Sequence, residues 1–576
     1  MSMQRSSTDI LILGAGGAGL MAALRAAEAD PTAQITVAVK GLLGKCGCTR
    51  MVQGGYNVAL AEGDSAERHF MDTLEGGKWI NDQDLAWLLV TGAQRCIREL
   101  ENKYGCFFDR NPDGTVHQKA FAGQTFDRTV HKGDLTGIEI VNRLAEQVWA
   151  RGIARLEEHR ALALIPAQDG GALAGVLFAD MRTGEFTFVA AKRVLLATGG
   201  GPTMYRYHTP SGDKACDGMA MALRAGLTLR DMEMVQFHPT GLLAGPETRM
   251  TGTVLEEGLR GAGGYLLDRD GKRFMAEYDP KLERATRDIV SRAMFDVIRK
   301  GRATPLAGIY LEMKHLGPDN VRRQFKGMVE RCADCGFDLA GDRVEVIPTA
   351  HYMMGGVRFG PDCRTALAGL YAAGEDTGGV HGANRLGGNG VANSTVFGGI
   401  AGASMAEGLA REMFRAPDEG AIEAAMALAS APFAQASGDL GALRERLYDV
   451  MWEDAGIVRD EAGLKRAEGA LAVLDRELNS IGIAGGREFN LAWHAWLDLK
   501  NLVLVSRTIV AAARARADSA GAHFRADFPA AADPARAYFT CATLKGDRID
   551  VSTEPVAFTR VKPGETLITA KDNAAE

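Results

Sequence analysis

The chain has 576 residues, 46% hydrophobic and 24% charged, values that suit a globular enzyme of about two to four domains and exclude a disordered chain. Its net charge of −7, without long blocks of like charge, argues against nucleic acid or an anionic membrane as the main partner. The nine cysteines lack the density of a disulfide scaffold, which favours reduced thiols in the cytoplasm. We find no signal peptide and no run of about 18 apolar residues, so we expect a soluble chain without direct membrane insertion.

The first elements follow the order strand, glycine turn, helix, strand. A β-branched run at 8–13 precedes the motif GAGGAG, a helical stretch at 20–29 follows, and a second strand covers 34–39. Such glycines allow the turn, the approach of a pyrophosphate and close helix-strand packing, while the helix N-terminus donates to phosphates. Lys40 stands where this fingerprint usually has an acid for the ribose, which disfavours NAD more than FAD. The predicted cofactor contacts here are Gly14, Gly16, Gly17, Gly19 and Lys40.

A loop rich in glycine and polar residues, GKCGCTRMVQGG, covers 44–55 and is predicted to cross near the cofactor. Its cysteine pair and the distant pair Cys332 and Cys335 suggest a metal or redox site. Each pair lacks the further ligands that zinc or an iron-sulfur cluster needs, so we predict no metal site. The predicted cofactor contacts in this loop are Cys48, Thr49, Gln53, Gly54 and Gly55.

The middle of the chain alternates helices and strands. Helical spacing covers 82–104 and 134–151, with a loop around Phe121 between them, and strand patterns cover 162–165, 174–179 and 186–189. The run RVLLATGG at 193–200 is a buried strand that ends in a second glycine turn. We predict cofactor contacts at Ala197, Thr198, Gly199 and Asp217.

A glycine-dense stretch at 369–394 contains charged residues that are unsuited to a core. A buried strand there ends at Glu375, a position suited to a ribose or ribityl hydroxyl. A helix that starts near Asn389, followed by Gly390, would direct its positive end at an anionic ring edge. Arg385 could hold a substrate carboxylate beside that ring. The alternative is a tight glycine-rich turn with a surface arginine.

Together with QFHPTG at 236–241, HYMMGG at 351–356 and GANRLGGNG at 382–390, these motifs resemble the flavoprotein subunit of succinate dehydrogenase and fumarate reductase. That superfamily also contains L-aspartate oxidase. The resemblance implies an α/β fold: a Rossmann-like FAD-binding domain of two segments, an inserted α+β capping domain, a C-terminal helical domain and a C-terminal extension. The implied boundaries are 1–240 with 345–405, then 241–344, 406–530 and 531–576. Helical periodicity at 421–433, 440–453 and 463–481 agrees with the helical domain.

The resemblance also implies catalytic roles. His238, His351 and Arg385 match groups that bind substrate carboxylates, Arg287 matches the arginine that moves a proton to or from the substrate carbon, and Glu257 matches the carboxylate that relays this proton. Hydride transfer between a substrate carbon and flavin N5 requires such an acid or base, and cations that polarise the carboxylate.

Two departures from the family pattern matter. Cys48 replaces the histidine that carries the flavin, so we predict non-covalent FAD, with a cysteinyl thioether as the alternative. Glu256 replaces a threonine that would donate to a substrate carboxylate, so we assign substrate specificity to Glu256 and Phe121. We expect Glu256 to disfavour a second carboxylate, unless it turns away or is protonated.

The favoured hypothesis is an FAD oxidoreductase that acts on CH–CH groups of a small carboxylate and passes electrons to an iron-sulfur subunit or another acceptor. One alternative is an amino-acid oxidase of the L-aspartate type, in which Glu256 accepts a substrate ammonium. Another is a non-catalytic flavin-binding assembly subunit. We expect a cytoplasmic protein, peripheral to the inner membrane if a partner attaches it there.

Overall fold

The computed structural model describes residues 3–569. The elements before the middle of the chain are β1 (Met3–Leu13), α1 (Gly17–Ala29), β2 (Ile35–Val39), β3 (Tyr56–Asn57), α2 (Ala66–Gly76), α3 (Gln83–Asn102), β4 (Gln118–Lys119), β5 (Thr129–Val130), α4 (Thr136–Ala150), β6 (Ala154–Glu157), β7 (His159–Pro166), β8 (Leu173–Asp180), β9 (Phe186–Leu196), α5 (Asp217–Arg224), β10 (Leu229–Arg230) and β11 (Val235–Leu242).

The later elements include a mixed region, a helical region and a hairpin. They are α6 (Gly258–Gly261), β12 (Tyr265–Leu267), α7 (Arg287–Val297), β13 (Ile309–Glu312), α8 (Pro318–Gln324), α9 (Lys326–Ala333), β14 (Arg343–Met353), β15 (Gly356–Val357), β16 (Leu370–Ala372), α10 (Asn389–Ala406), α11 (Glu419–Ser430), α12 (Leu440–Glu453), α13 (Glu461–Ser480), α14 (Leu491–Ala515), β17 (Tyr538–Lys545) and β18 (Arg548–Pro555).

The main sheet has the order β6-β2-β1-β9-β8-β7, and β16 pairs with β9. Strands β6, β2, β1, β9 and β16 are parallel, and β7 and β8 extend the sheet in antiparallel pairing. In register, Leu13 pairs with Leu196 and Leu196 pairs with Ala372. The glycine turns that follow β1, β9 and β16, called the three glycine turns below, therefore lie side by side at the carboxyl ends of their strands. Open α/β sheets bind ligands at this edge.

A second sheet, β11-β14-β13-β12, is antiparallel, and helices α7, α8 and α9 lie between its strands in the chain order. Its hydrophobic core is separate from that of the main sheet and includes Leu242, Leu266, Val290 and Val344. We call residues 242–346 the cap. The predicted domain boundaries at 240 and 345 fall close to this region and stay a prediction.

The predicted α/β class and helical C-terminal region are confirmed. The two strands predicted at 186–189 and 193–200 are one strand, β9, because Ala190 and Ala191 between them pair with Ser7 and Thr8 of β1. The helix α14 escaped prediction because buried residues surround its 25-residue length, leaving little amphipathic contrast. No helix within residues 3–569 has the length and apolar character to cross a membrane.

Candidate functional site

A cavity of about 660 Å³ lies between the three glycine turns and the cap. Of the site residues predicted from the sequence, all except Gly19 and Asn389 line this cavity. Residues far apart in the chain, from β1 to α10, thus converge on one site. The cavity has one end at the turn after β1 and another beside Arg287 and Arg385 on the cap side.

The turn after β1 suits a dinucleotide. Gly14 has φ of +112°, and a methyl group there would lie 2.1 Å from the carbonyl oxygen of Ala197, so another residue would close the turn. Gly16 gives no side-chain cap to α1, which leaves this helix N-terminus available to phosphates. Gly19 lies outside the lining because it allows helix-strand packing: its methyl would be 1.9 Å from Gly14 O.

Position 40, directly after β2, is lysine, so the sequence predicts no acid for a ribose there. The Nζ of Lys40 lies 2.8 Å from Asp217 and 3.3 Å from Asp498, and Arg160 lies 2.9 Å from Asp217. Burial raises the pKa of Asp217, but the charges of Lys40 and Arg160 outweigh it, so this pKa lies below its ordinary value. An ionised carboxylate therefore stands beside the end of β2, supplied by α5.

The turn after β16 presents two carboxylates. Glu375 faces the cavity and accepts a hydrogen bond from Met353 N at 3.0 Å; burial raises its pKa to about 7. Asp376 escaped prediction: it accepts from Thr198 Oγ1 at 3.0 Å and Gly199 N at 3.1 Å. Asp376 therefore fixes the turn after β9, whereas Glu375 is the carboxylate that can reach a ligand.

A helix begins at Asn389, where the glycine pattern predicted one. The side chain of Asn389, however, turns into the core instead of lining the cavity. Its Oδ1 lies 2.9 Å from both Asn57 Nδ2 and His69 Nε2. Buried amide and imidazole partners satisfy this side chain, so the backbone at the start of α10 is the part of Asn389 that could serve a cofactor, and the predicted contact stays a prediction.

Cys48 lines the cavity and is half-buried. Burial, with a smaller effect of the nearby Glu375 charge, raises the pKa of Cys48 to about 12. Since the thiolate is the nucleophilic form, this raised pKa lowers the reactivity of the thiol near neutral pH. In the part of the chain that the structure describes, no group of three or more His, Cys, Asp or Glu side chains could hold a metal ion.

The cap end of the cavity is organised around Arg287, the first residue of α7. Its Nε and Nη2 donate to Glu257 Oε2 at 3.0 and 2.7 Å, and its Nη1 donates to Gln236 Oε1 at 3.0 Å. Arg260 donates to the other oxygen, Oε1, of Glu257 at 3.3 Å. Arg385 also donates to Gln236 Oε1, at 3.0 Å. Gln236, a member of the QFHPTG motif without a predicted role, therefore binds both cavity-lining arginines.

The charged side chains around Glu257 carry a net positive charge. Burial would raise the pKa of Glu257, but Arg287 and Arg260 outweigh it, so this pKa lies below its ordinary value and Glu257 is ionised. Burial and the neighbouring Arg287 charge lower the pKa of Arg385 to about 10. One carboxylate thus faces three buried arginines, an environment that attracts an anionic ligand.

His238 and His351 lie side by side, with ring centroids 5.3 Å apart. Burial, followed by the positive charge of Arg287, lowers the pKa of both well below the ordinary value. Thr209 Oγ1 lies 2.8 Å from Nδ1 of His351, and Thr240 N donates to Nδ1 of His238 at 3.3 Å. Both rings are therefore neutral, and their Nε2 atoms remain available for a ligand.

The ring of Phe121 leaves no room for a side chain at two positions of the site, and both are glycine. A methyl at Gly54 would lie 2.5 Å from Phe121 Cζ, and one at Gly387 would lie 2.6 Å from Phe121 Cδ2 and 2.9 Å from Glu257 Oε2. The ring thus packs where the 44–55 loop, the cap and the turn before α10 meet.

Glu256 lines the cavity, as predicted, but it has a partner. Lys119 Nζ on β4 lies 3.4 Å from Glu256 Oε2, and both side chains are largely buried. Burial raises the pKa of Glu256, an effect that Lys119 partly opposes. The carboxylate that we expected to repel a second substrate carboxylate therefore faces a lysine, which offsets part of its charge.

Two family models match the chain: an FAD binding domain over residues 9–391 and the fumarate reductase flavoprotein C-terminal region over residues 444–567. The chain belongs to the succinate dehydrogenase and fumarate reductase flavoprotein family. It is an FAD-dependent oxidoreductase of this family, which confirms the resemblance drawn from its motifs.

Individual relatives match along nearly their whole length. One subunit of the CoM/CoB fumarate reductase of Methanothermobacter marburgensis is 39% identical over 532 residues, which cover 92% of this chain and 96% of the relative. The FrdA structure of Escherichia coli quinol fumarate reductase has a TM-score of 0.91 at 33% identity, covering 98% of this chain and 99% of that one. A Mycobacterium smegmatis Sdh1 structure in complex with UQ1 has a TM-score of 0.86 at 35% identity, with 96% and 94% coverage.

Sequence reasoning missed several residues that line or shape the site. Lys119, Lys214 and Arg331 lie in segments without a glycine motif or a family signature. Their charge alone was the available signal, and charge at one position does not reveal which element it faces.

Proposed function

We propose that this enzyme forms or reduces a carbon-carbon double bond next to a carboxylate in a small substrate. The observation that carries the proposal is the buried Arg287, held by Glu257 and Gln236 at the wall of the same cavity as His238, His351 and Arg385. This combination brings a proton-transfer group and a carboxylate-binding group to one place.

FAD, when bound, supplies the hydride acceptor or donor at N5. The residues that would hold it are those of the three glycine turns, with the N-terminus of α1 at the pyrophosphate and Glu375 at a ribose or ribityl hydroxyl. The φ of Gly14 and the absence of side chains at the turn fit such a group.

Two cap residues, Arg287 and Glu257, perform the acid-base work, and residues outside the cap bind the carboxylate. Arg385, with the neutral His238 and His351 as donors, would bind and polarise the carboxylate, so that negative charge that develops on the adjacent carbon is stabilised. Arg287 would give a proton to that carbon in reduction and remove it in oxidation. In reduction, Glu257, bound to both Arg287 and Arg260, would take up a proton from solvent and pass it to Arg287; in oxidation, Glu257 would first accept a proton from Arg287, so that Arg287 can act as the base, and then release it to solvent.

The alternative of an L-aspartate-type oxidase required Glu256 to accept the substrate ammonium. Lys119 already faces that carboxylate at 3.4 Å, so a second ammonium would compete with it. This contact favours the CH–CH reaction over the CH–NH2 reaction. A purely structural flavin subunit would have no use for the costly burial of Arg287, Arg260 and Arg385 against one carboxylate.

We further propose that FAD is bound without a covalent link. Trichloroacetic acid should release the yellow colour into the supernatant, because position 48 lacks a histidine and the thiol of Cys48 has a pKa of about 12. Colour retained by the pellet in wild type but lost in Cys48→Ser would establish a thioether instead.

Oxidation of the substrate needs an electron acceptor and its reduction needs an electron donor, and we propose that the partner in either role is an iron-sulfur subunit. The support is that the relatives are themselves named as subunits, among them one of a CoM/CoB fumarate reductase. Purification of the chain from its natural host should therefore recover a second protein with iron and acid-labile sulfide.

Glu256 is proposed to limit, but not abolish, the use of dicarboxylates. Glu256→Thr removes a charge, adds a hydroxyl donor and frees Lys119, so kcat/KM for succinate and fumarate should rise about tenfold. The isosteric Glu256→Gln separates the loss of charge from the gain of a hydroxyl. Unchanged kcat/KM in both variants at matched flavin occupancy would mean that Glu256 does not face the substrate.

Steady-state assays test the proposed reaction. We expect succinate-dependent dye reduction or fumarate-dependent oxidation of a reduced viologen, both dependent on bound FAD. Oxygen-dependent oxidation of aspartate as the only reaction would replace the proposal with the amino-acid oxidase.

A further inference from the structure

The cysteine pair Cys332 and Cys335, for which we predict no metal, lies at the C-terminal end of α9 in the cap. Both are free thiols. Cys335 N donates to Cys332 O at 3.0 Å, and Asp334 between them keeps helical angles, φ of −59° and ψ of −21°. Cα atoms three residues apart in such a helical turn are about 5 Å apart, and a disulfide spans about 4.4–6.8 Å between Cα atoms. The main chain therefore holds the two cysteines at a separation that a disulfide can bridge.

The two thiols differ in their access to solvent. Cys332 is 0% exposed and belongs to the hydrophobic core of the cap, whereas Cys335 is half-buried and packs against this core from outside. Burial, with a smaller effect of the neighbouring Cys335, raises the pKa of Cys332 to about 12. A reagent in solution therefore reaches Cys335 first, and Cys332 reacts only when it leaves the core, where its thiolate becomes accessible.

A disulfide here requires the last turn of α9 to change shape. Side chains three residues apart on a helix have Cβ atoms about 5–6 Å apart, whereas a disulfide needs about 3.5–4.5 Å. The neighbouring residues Ala333, Asp334 and Gly336 are exposed, and a methyl on Gly336 would meet no atom within 4 Å. The solvent side of the turn thus has room to tighten, and this movement would draw Cys332 out of the core of the cap.

The same turn is directly connected to the cavity wall. Arg331, the residue before Cys332, lines the cavity, and its Nη1 donates to Val254 O at 2.8 Å. Gln53 Oε1, with the amide oriented toward the guanidinium, accepts from Nη2 of Arg331 at 3.0 Å. Gln53 belongs to the 44–55 loop, so α9 connects the cap to that loop. Displacement of Cys332 would move Arg331 away from both acceptors and loosen the cap.

We propose that Cys332 and Cys335 form an oxidation site at which small disulfides of the glutathione type reversibly loosen the cap. The thiolate of Cys335 attacks the small disulfide and releases one thiol, and the thiolate of Cys332 then displaces the second thiol from the mixed disulfide. The protein loses two electrons and two protons, which convert the small disulfide into two thiols. The expected effect on turnover rests on the proposed function, whereas the formation of the bond does not.

The test treats the holoenzyme with glutathione disulfide and follows three properties. The tryptic peptide 332–343 should lose the mass of two hydrogen atoms. Amide hydrogen exchange should accelerate in α9 and in the 44–55 loop, because their contact through Arg331 is weakened. Turnover should fall about tenfold or more, since small displacements at an active site are costly, and dithiothreitol should restore all three properties.

Matched variants identify the thiols that respond. Cys335→Ser and Cys335→Ala should keep wild-type turnover and show none of the three changes. Cys46→Ser, a change of another half-buried cysteine, should respond to glutathione disulfide as wild type does. A wild-type peptide that keeps both thiols, or that stops at the mixed disulfide with glutathione, would overturn the inference. A disulfide that leaves hydrogen exchange unchanged, or an equal loss of turnover in the Cys335 variants, would overturn it as well.

The proposed function fails by a different result. A protein that forms the disulfide and shows faster hydrogen exchange, yet catalyses no oxidation or reduction of any carboxylate, would refute the reaction and support the oxidation site. An active enzyme in which Cys332 and Cys335 stay reduced would refute the oxidation site alone.

Discussion

Replacing Arg287 with lysine should lower turnover at least about a thousandfold, equivalent to about 4 kcal/mol of transition-state free energy. Lysine keeps the charge but loses the fork that donates twice to Glu257 Oε2 and once to Gln236, so the ammonium cannot maintain both contacts and reach the substrate carbon. FAD content should stay normal, because Arg287 belongs to the cap and the predicted FAD contacts lie in the glycine turns.

The measurement is kcat with flavin absorbance recorded on the same sample. Arg299→Lys, at an exposed position just beyond α7, is the matched control and should retain full activity. An Arg287→Lys enzyme with a tenth of wild-type turnover would remove Arg287 from the proton path.

Glu257→Gln should lower kcat about a hundredfold or more, the usual range for loss of a general acid-base group. The amide has the size of the carboxylate, but it has one acceptor oxygen instead of two and cannot carry the proton back to Arg287. It also leaves Arg287 and Arg260 without their shared counter-charge, so melting temperature and flavin content must be compared with wild type.

The double variant Arg287→Lys with Glu257→Gln distinguishes a proton relay through both residues from two independent effects on turnover. If both residues serve one proton path, the double variant should be little slower than Arg287→Lys alone. Multiplicative losses would contradict the relay. Glu330→Gln, at an exposed position on α9, controls for the loss of a cap carboxylate.

The glycine turns were predictable because their requirements are local. Gly14 must adopt a positive φ and leave room for the next strand, and only its immediate sequence context is needed to see this. The roles of Arg287 and Glu257 came from the family resemblance instead. Nothing in the spacing of two residues 30 positions apart indicates that their side chains form two hydrogen bonds.

Partners from distant segments could not be predicted from the sequence. The lysine at position 40 predicts the absence of an acid, whereas the fold brings Asp217 to it from α5. The sequence predicts that Glu256 repels a second carboxylate, but it does not reveal that Lys119 faces Glu256 from β4. The helix at Asn389 was predicted correctly, but the direction of its first side chain depends on how α10 packs against its neighbours.

The most direct test of the central claim is a single-turnover reaction. Enzyme whose flavin has been reduced is mixed anaerobically with fumarate in a stopped-flow instrument, and the absorbance of the oxidised flavin is followed. We predict that the oxidised flavin band returns in wild type within one turnover, with succinate as the product, and that Arg287→Lys shows at least about a thousandfold slower return. Reduced flavin that fumarate and related unsaturated carboxylates leave unchanged, while aspartate reduces the oxidised form, would contradict the account.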